Sequence, residues 1–298
     1  MNNLPKTPSI KRGWLRAILI IFPFLLITGF FQAIGGFFWA FISGENPMDV
    51  LQSNSNNPNL AFLIIQAFTT FGTLLIIWIF MRFIDRKKMI DLGFSFKNKT
   101  KDILYGLLAG LLMIGTGSLF LYLSGNLKFK SISFNLIGLS QSVLLLILVS
   151  VNEEVLVRGY MLRNFMDSMN RYIALFLSSL LFMALHLLNP NVSLVGMTNV
   201  FLAGILLGIS YIFTKNLWFP LAFHFSWNFI QGPIFGYEVS GTNLDSLLSQ
   251  NLTGSEWLTG GKFGFEGSIL ATILCLAGII FFWFVYRNQN KLSEKVLS

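Results

Sequence analysis

Three short clusters carry ionisable and amide side chains that an apolar chain has no packing need for. They are Glu153-Glu154-x-x-x-Arg158, His186 with Phe182 one turn before it, and His224-x-x-x-Asn228. Residues four apart share a helix face, so Glu154 lies over Arg158 while Glu153 lies over the apolar Val157. Glu154 therefore has a counter-ion on its own helix, and Glu153 is left free to act as a base. Together these residue types suit hydrolysis. A carboxylate deprotonates water, a histidine orients it, and a His/Asn pair hydrogen-bonds a developing oxyanion. Glu153, His186, His224 and Asn228 are the candidate catalytic residues, with Glu154 and Arg158 as a supporting ion pair.

The elements that position them are set by lipid. Hydrophobic residues make up 54% of the 298 positions and charged residues 11%, about half the charge of a soluble domain. Apolar runs of about 20 residues, enough to cross a hydrocarbon core, recur near 15–42, 60–81, 103–123, 134–157, 171–188, 194–213, 217–234 and 266–286. Backbone groups find no partners in lipid, so these runs are helices; their continuous hydrophobicity excludes the alternating pattern of an outer-membrane barrel. The fold class is all-α, a polytopic integral membrane bundle of about eight transmembrane helices forming a single membrane domain over 1–298. The first run is too long for a signal peptide and reads as a retained span.

Basic residues set the orientation. The N-terminal arm from Lys6 to Arg16, the 82–102 loop, the 158–171 turn, Lys215 and the C-terminal tail hold 18 of the 21 Lys and Arg. Both termini are therefore expected in the cytosol, and the net charge of +8 is a topology signal rather than a nucleic-acid footprint. The polar 235–265 loop should lie on the opposite, outer side. A single cysteine, Cys275, excludes an internal disulfide and a cysteine metal cluster.

Depth is the geometric difficulty, because His186 lies 15 residues beyond Arg171, about 22 Å along a helix. No proline interrupts 152–168, so the helix is expected to continue to about Asp167 and protrude into the cytosol. A turn near Met169-Asn170 then brings Glu153 and His186 level in an antiparallel hairpin, around a cavity in the cytosolic half of the bilayer. Arg163, Asp167 and Arg171 read as a solvated hairpin tip. Gly106-x-x-x-Gly110 and Gly204-x-x-x-Gly208 read as close helix contacts. Ser178 and Ser179 read as helix-contact residues, with no Ser-His-carboxylate arrangement spelled out.

The three clusters, in this order, resemble the motifs of the CPBP family, the CAAX proteases and bacteriocin-processing enzymes also called Abi, over about 145–232. The resemblance implies a CAAX-protease-like intramembrane endopeptidase of the glutamate type. Glu153 would activate water with His186, His224 and Asn228 would form the oxyanion hole, and Glu154 and Arg158 would order the site. No cofactor is expected. The alternative is zinc held by His186, His224 and Glu153, but the chain has no H-E-x-x-H helix and Asn228 is a poor zinc ligand. The expected partners are the lipid bilayer and a small peptide or membrane-anchored protein, in a bacterial plasma membrane, with a role in bacteriocin processing or self-immunity. Two other readings remain: a non-catalytic immunity or scaffold protein, and a proton-linked transporter, for which no repeat is evident.

Overall fold

The computed structural model describes residues 7–51 and 55–297; Lys6 and the side chains of Leu51 and residues 290–297 lie outside that description. Each apolar run closes its backbone bonds along itself, as lipid requires. The helices follow in order: α1 Gly13–Ser43, α2 Pro58–Asp85, α3 Thr100–Leu123, α4 Leu136–Met166, α5 Arg171–Leu185, α6 Leu194–Thr214, α7 Trp218–Phe229 and α8 Ile269–Leu297. Among the described residues, six of these are long and apolar enough to cross a membrane, and α5 and α7 are shorter. The protein is an integral membrane helical bundle. In α6, 72% of the apolar window is buried inside the protein, against 22% in α1 and α8. The centre of the bundle is thus α6, with the outer helices turning phenylalanines such as Phe22, Phe30 and Phe41 outward.

Two boundaries depart from expectation for local reasons. Helix α5 stops at Leu185, not 188: His186 is its C-cap, and the Asn189-Pro190 step that follows is unsuited to helix. Helix α8 starts at Ile269, not 266, because Ser268 is extended and its Oγ accepts the Ala271 N–H at 3.1 Å, a side-chain N-cap. Helix α7 starts at Trp218, where Leu217 N–H donates to Gly93 O at 3.0 Å from the loop before α3.

As expected, α4 runs on past Glu154, but it does not protrude into solvent. From Val155 to Leu162 it widens into a π-helix whose residues are all buried. The N-terminal helix clasps this end. Arg16 is 1% exposed; it donates to Asn164 Oδ1 at 2.8 Å and Asp167 Oδ2 at 2.7 Å, and lies 3.3 Å from Asp85 Oδ1. Tyr160 donates to the other Asp85 oxygen at 2.8 Å. The tip is therefore an ion-paired junction rather than a free solvated turn, because charges placed at low dielectric need partners. Arg16 and Arg158, counted above among basic flanks, are interior residues.

The 235–265 loop folds back into the bundle, with Tyr237, Phe263 and Phe265 at most 2% exposed. Its strand β2, Leu248–Leu252, pairs antiparallel with β1, Leu127–Ile132. Both small-residue motifs are helix contacts. A Cβ at Gly110 would sit 2.6 Å from the Trp227 backbone nitrogen on α7, and one at Gly204 would sit 2.9 Å from Ser179 Cβ on α5. Gly110→Ala is therefore expected to lower stability by about 1–3 kcal/mol through overpacking. Gly115→Ala, with open space around its Cβ, should leave it unchanged or slightly raised. Unfolding of both variants in detergent checks the pair; equal effects would contradict the close approach.

Candidate active site

The site is built from α4 outward. Successive helical residues point about 100° apart, so the adjacent carboxylates face different neighbours. Glu154 is fully buried, and its Oε1 accepts from Arg158 Nη1 at 2.7 Å and from His224 Nδ1 at 2.8 Å. Arg158 in turn donates through Nη2 to Gly204 O on α6 at 3.1 Å, and its guanidinium lies 4.2 Å from the centre of the Phe182 ring. Phe182 also packs on both histidines, with ring centres 4.6 Å from His186 and 6.3 Å from His224. One phenylalanine on α5 thus touches a cation and both imidazoles.

The hydrogen bonds orient the imidazoles. His186 Nδ1 lies 2.8 Å from Phe182 O, and a carbonyl only accepts, so Nδ1 carries the proton and Nε2 is turned elsewhere. His224 Nδ1 is held by the Glu154 carboxylate in the same way. Both Nε2 atoms converge on Glu153 Oε2, at 3.7 Å from His186 and 3.8 Å from His224. That oxygen is buried without a hydrogen-bond partner among the described residues. These separations are beyond a direct hydrogen bond and suit a bridging water. The four expected catalytic residues therefore come from α4, the C-cap of α5, and α7. His186 caps the end of α5 remote from the Asp167–Asn170 tip, so the centre lies toward that remote end rather than in the half nearest the basic turns.

Beside the histidines is a cavity of ≈ 40 Å³, lined by His186, His224, Asn228, Ser240 and Glu266 among others. It has room for a water or two. Glu153 is not part of its lining and meets the histidines from the α4 side. Asn228 is 6% exposed, one turn after His224, where α7 passes into a π-helical turn over Ile230–Ile234. Ser178 and Ser179 both donate to Leu175 O, at 3.0 and 2.8 Å, and neither lines the cavity.

Two polar residues here were missed by sequence reasoning. Glu266 is 9% exposed; it accepts the Ser240 hydroxyl at 2.7 Å and also the Ser240 N–H. The loop reaches this position through Gly264, whose φ of 96° admits glycine and whose Cβ would collide with Glu238 O. The available signal was Glu266 itself, an isolated carboxylate between Phe265 and Gly267 at the head of an apolar run.

Residues 135–230 match the family model described as type II CAAX prenyl endopeptidase Rce1-like. This segment is similar to the CAAX protease family. The matched segment is about a third of the chain; it contains Glu153, Glu154, Arg158, His186, His224 and Asn228, and ends before Ser240 and Glu266. No curated protein and no solved structure matches the chain. Within the matched segment Glu154 and Arg158 form a buried ion pair. Arg158→Met should cost about 3–5 kcal/mol by taking the arginine from the buried Glu154 carboxylate. Adding Glu154→Gln should restore part of that. Chemical unfolding in micelles of the two single variants and the double would reveal the coupling, and strictly additive losses would refute it.

Proposed function

We propose that the protein hydrolyses a peptide bond within the membrane, using Glu153 as general base. Water held between Glu153 Oε2 and the two histidines would lose a proton to the carboxylate and attack the substrate carbonyl carbon. His186, with its proton on Nδ1, would accept the other water hydrogen at Nε2 and fix the water's direction. The oxyanion would receive hydrogen bonds from His224 Nε2–H and the Asn228 amide. With Nδ1–H already held by Glu154, His224 donates from Nε2 as an imidazolium, and the Glu154 carboxylate balances it. As the tetrahedral intermediate collapses, the proton on Glu153 passes to the leaving nitrogen, completing addition of water across the C–N bond.

The observation that carries this reading is the approach of both Nε2 atoms to one otherwise unpartnered carboxylate oxygen. Zinc would require ligand atoms at about 2.0–2.2 Å. Among the described residues no three His, Cys, Asp or Glu side chains are grouped to hold a metal. No step of this reading is routed through zinc, and comparing cleavage with and without chelator tests the alternative in which His186, His224 and Glu153 hold it. The cavity of ≈ 40 Å³ has room for the attacking water rather than for a peptide. A small peptide or the anchor of a membrane protein is the substrate class this geometry suits.

Purified protein presented with a membrane-embedded peptide library should generate products by mass spectrometry, with or without a strong chelator. Glu153→Ala should yield none while melting like wild type. Retained cleavage in that variant would overturn the mechanism, and loss of cleavage with chelator would move it to a metal. Asn228→Ala should lower kcat by about 10²–10³-fold, the usual effect of losing one oxyanion donor, with little change in KM.

A further inference from the structure

Away from the active site, the basic end of the bundle opens into a cavity of ≈ 710 Å³. That is within the range of about 300–1,000 Å³ typical of ligand pockets. Arg86, Lys87, Lys88, Arg163 and Lys215 line it, against two carboxylates, Asp91 and Asp167. Both carboxylates are already engaged. Asp167 takes Arg16 at 2.7 Å and Lys87 at 3.6 Å, and Asp91 Oδ2 accepts the Lys88 backbone N–H at 2.9 Å. Among the described residues, Arg86, Lys88, Arg163 and Lys215 have no carboxylate within 4.0 Å. Arg163 is half-buried, and its Nη1 contacts the Met81 sulfur at 3.6 Å, a weak acceptor for a partly desolvated cation.

A second observation points the same way. Arg86 and Lys215 cap the C-termini of α2 and α6 with φ of 57° and 50°, left-handed positions where glycine or asparagine is favoured. Both caps fix a cation's backbone at the rim of the cavity. We propose that this vestibule binds a phosphate-bearing ligand, whose oxygens accept charge-assisted hydrogen bonds from Arg86, Lys88, Arg163 and Lys215. The chemistry is shared by an anionic phospholipid headgroup and a free phosphate. The vestibule joins the ends of α4 and α6 and adjoins the turn from Lys215 into α7. An anion there draws together helices that carry the active site, and it stabilises the folded state by mass action, increasingly as its concentration exceeds Kd.

The test uses full-length protein in detergent, with thermal unfolding and native mass spectrometry as readouts. The probes are dioleoylphosphatidylglycerol, dioleoylphosphatidylcholine and inorganic phosphate. Phosphatidylglycerol should be retained in preference to phosphatidylcholine and should raise the melting temperature. A matching response to inorganic phosphate would identify a free-phosphate site, and its absence a lipid headgroup site. The exposed triple variant Arg86→Gln/Lys88→Gln/Lys215→Gln should bind the active probe at least tenfold more weakly. If that variant fails to fold, Lys215→Gln alone should weaken binding about threefold. Equal binding by variant and wild type, or no response of wild type to either anionic probe, would overturn the proposal.

Discussion

One carboxylate oxygen, Glu154 Oε1, registers four helices. A charge near the centre of a membrane helix costs roughly 2.5–3.5 kcal/mol on insertion scales, so a buried glutamate must find partners. Glu154 takes Arg158 from its own helix and His224 from α7. Arg158 extends the contact to the Gly204 carbonyl on α6 and the Phe182 ring on α5. Sliding any of these helices by one residue would strand a charge in a low-dielectric interior. The pair therefore fixes alignment more than it adds stability, since a buried ion pair only roughly offsets its own desolvation.

That alignment leaves Glu153 available. Its neighbour has taken the arginine and the Nδ1 of His224, while the Phe182 carbonyl has taken the Nδ1 of His186. Each imidazole is left with Nε2 as its outward atom, and both meet the one carboxylate oxygen that lacks a partner. The helices widen into π turns immediately after Glu154 and Phe229, beside both motifs, a frequent location for such turns at functional sites. The 235–268 loop then closes the space, held by Ser240 against Glu266 and by Gln231 against the Glu238 carbonyl at 2.9 Å.

The opposite end of the bundle obeys the same constraint with different partners. Arg16, Asp85, Tyr160, Asn164 and Asp167 satisfy one another, joining α1 and α2 to the end of α4. The cations left over gather in the adjoining vestibule. The 15-residue α5 separates the two ends by about 22 Å, so the glutamate–histidine cluster and the basic opening are distinct places on one set of helices.

Much was legible from the sequence because lipid limits the choices. Continuous apolar runs have only helix available, so eight helices lie where hydrophobicity put them. The i,i+4 spacing of Glu154 and Arg158 paired them on one face and left Glu153 free. The matching distances of Glu153 and His186 from the 169–170 turn anticipated their meeting. What the tertiary structure alone decided involves partners distant in sequence or segments without periodicity. Arg16 and Asp167 are 151 residues apart, so nothing local marks the tip as clasped rather than solvated. His224 reaches Glu154 across 70 residues. The polar loop has no hydrophobic period to betray its return, and so Ser240 and Glu266 could be placed at the cavity only by the packing of Tyr237, Phe263 and Phe265 into the bundle.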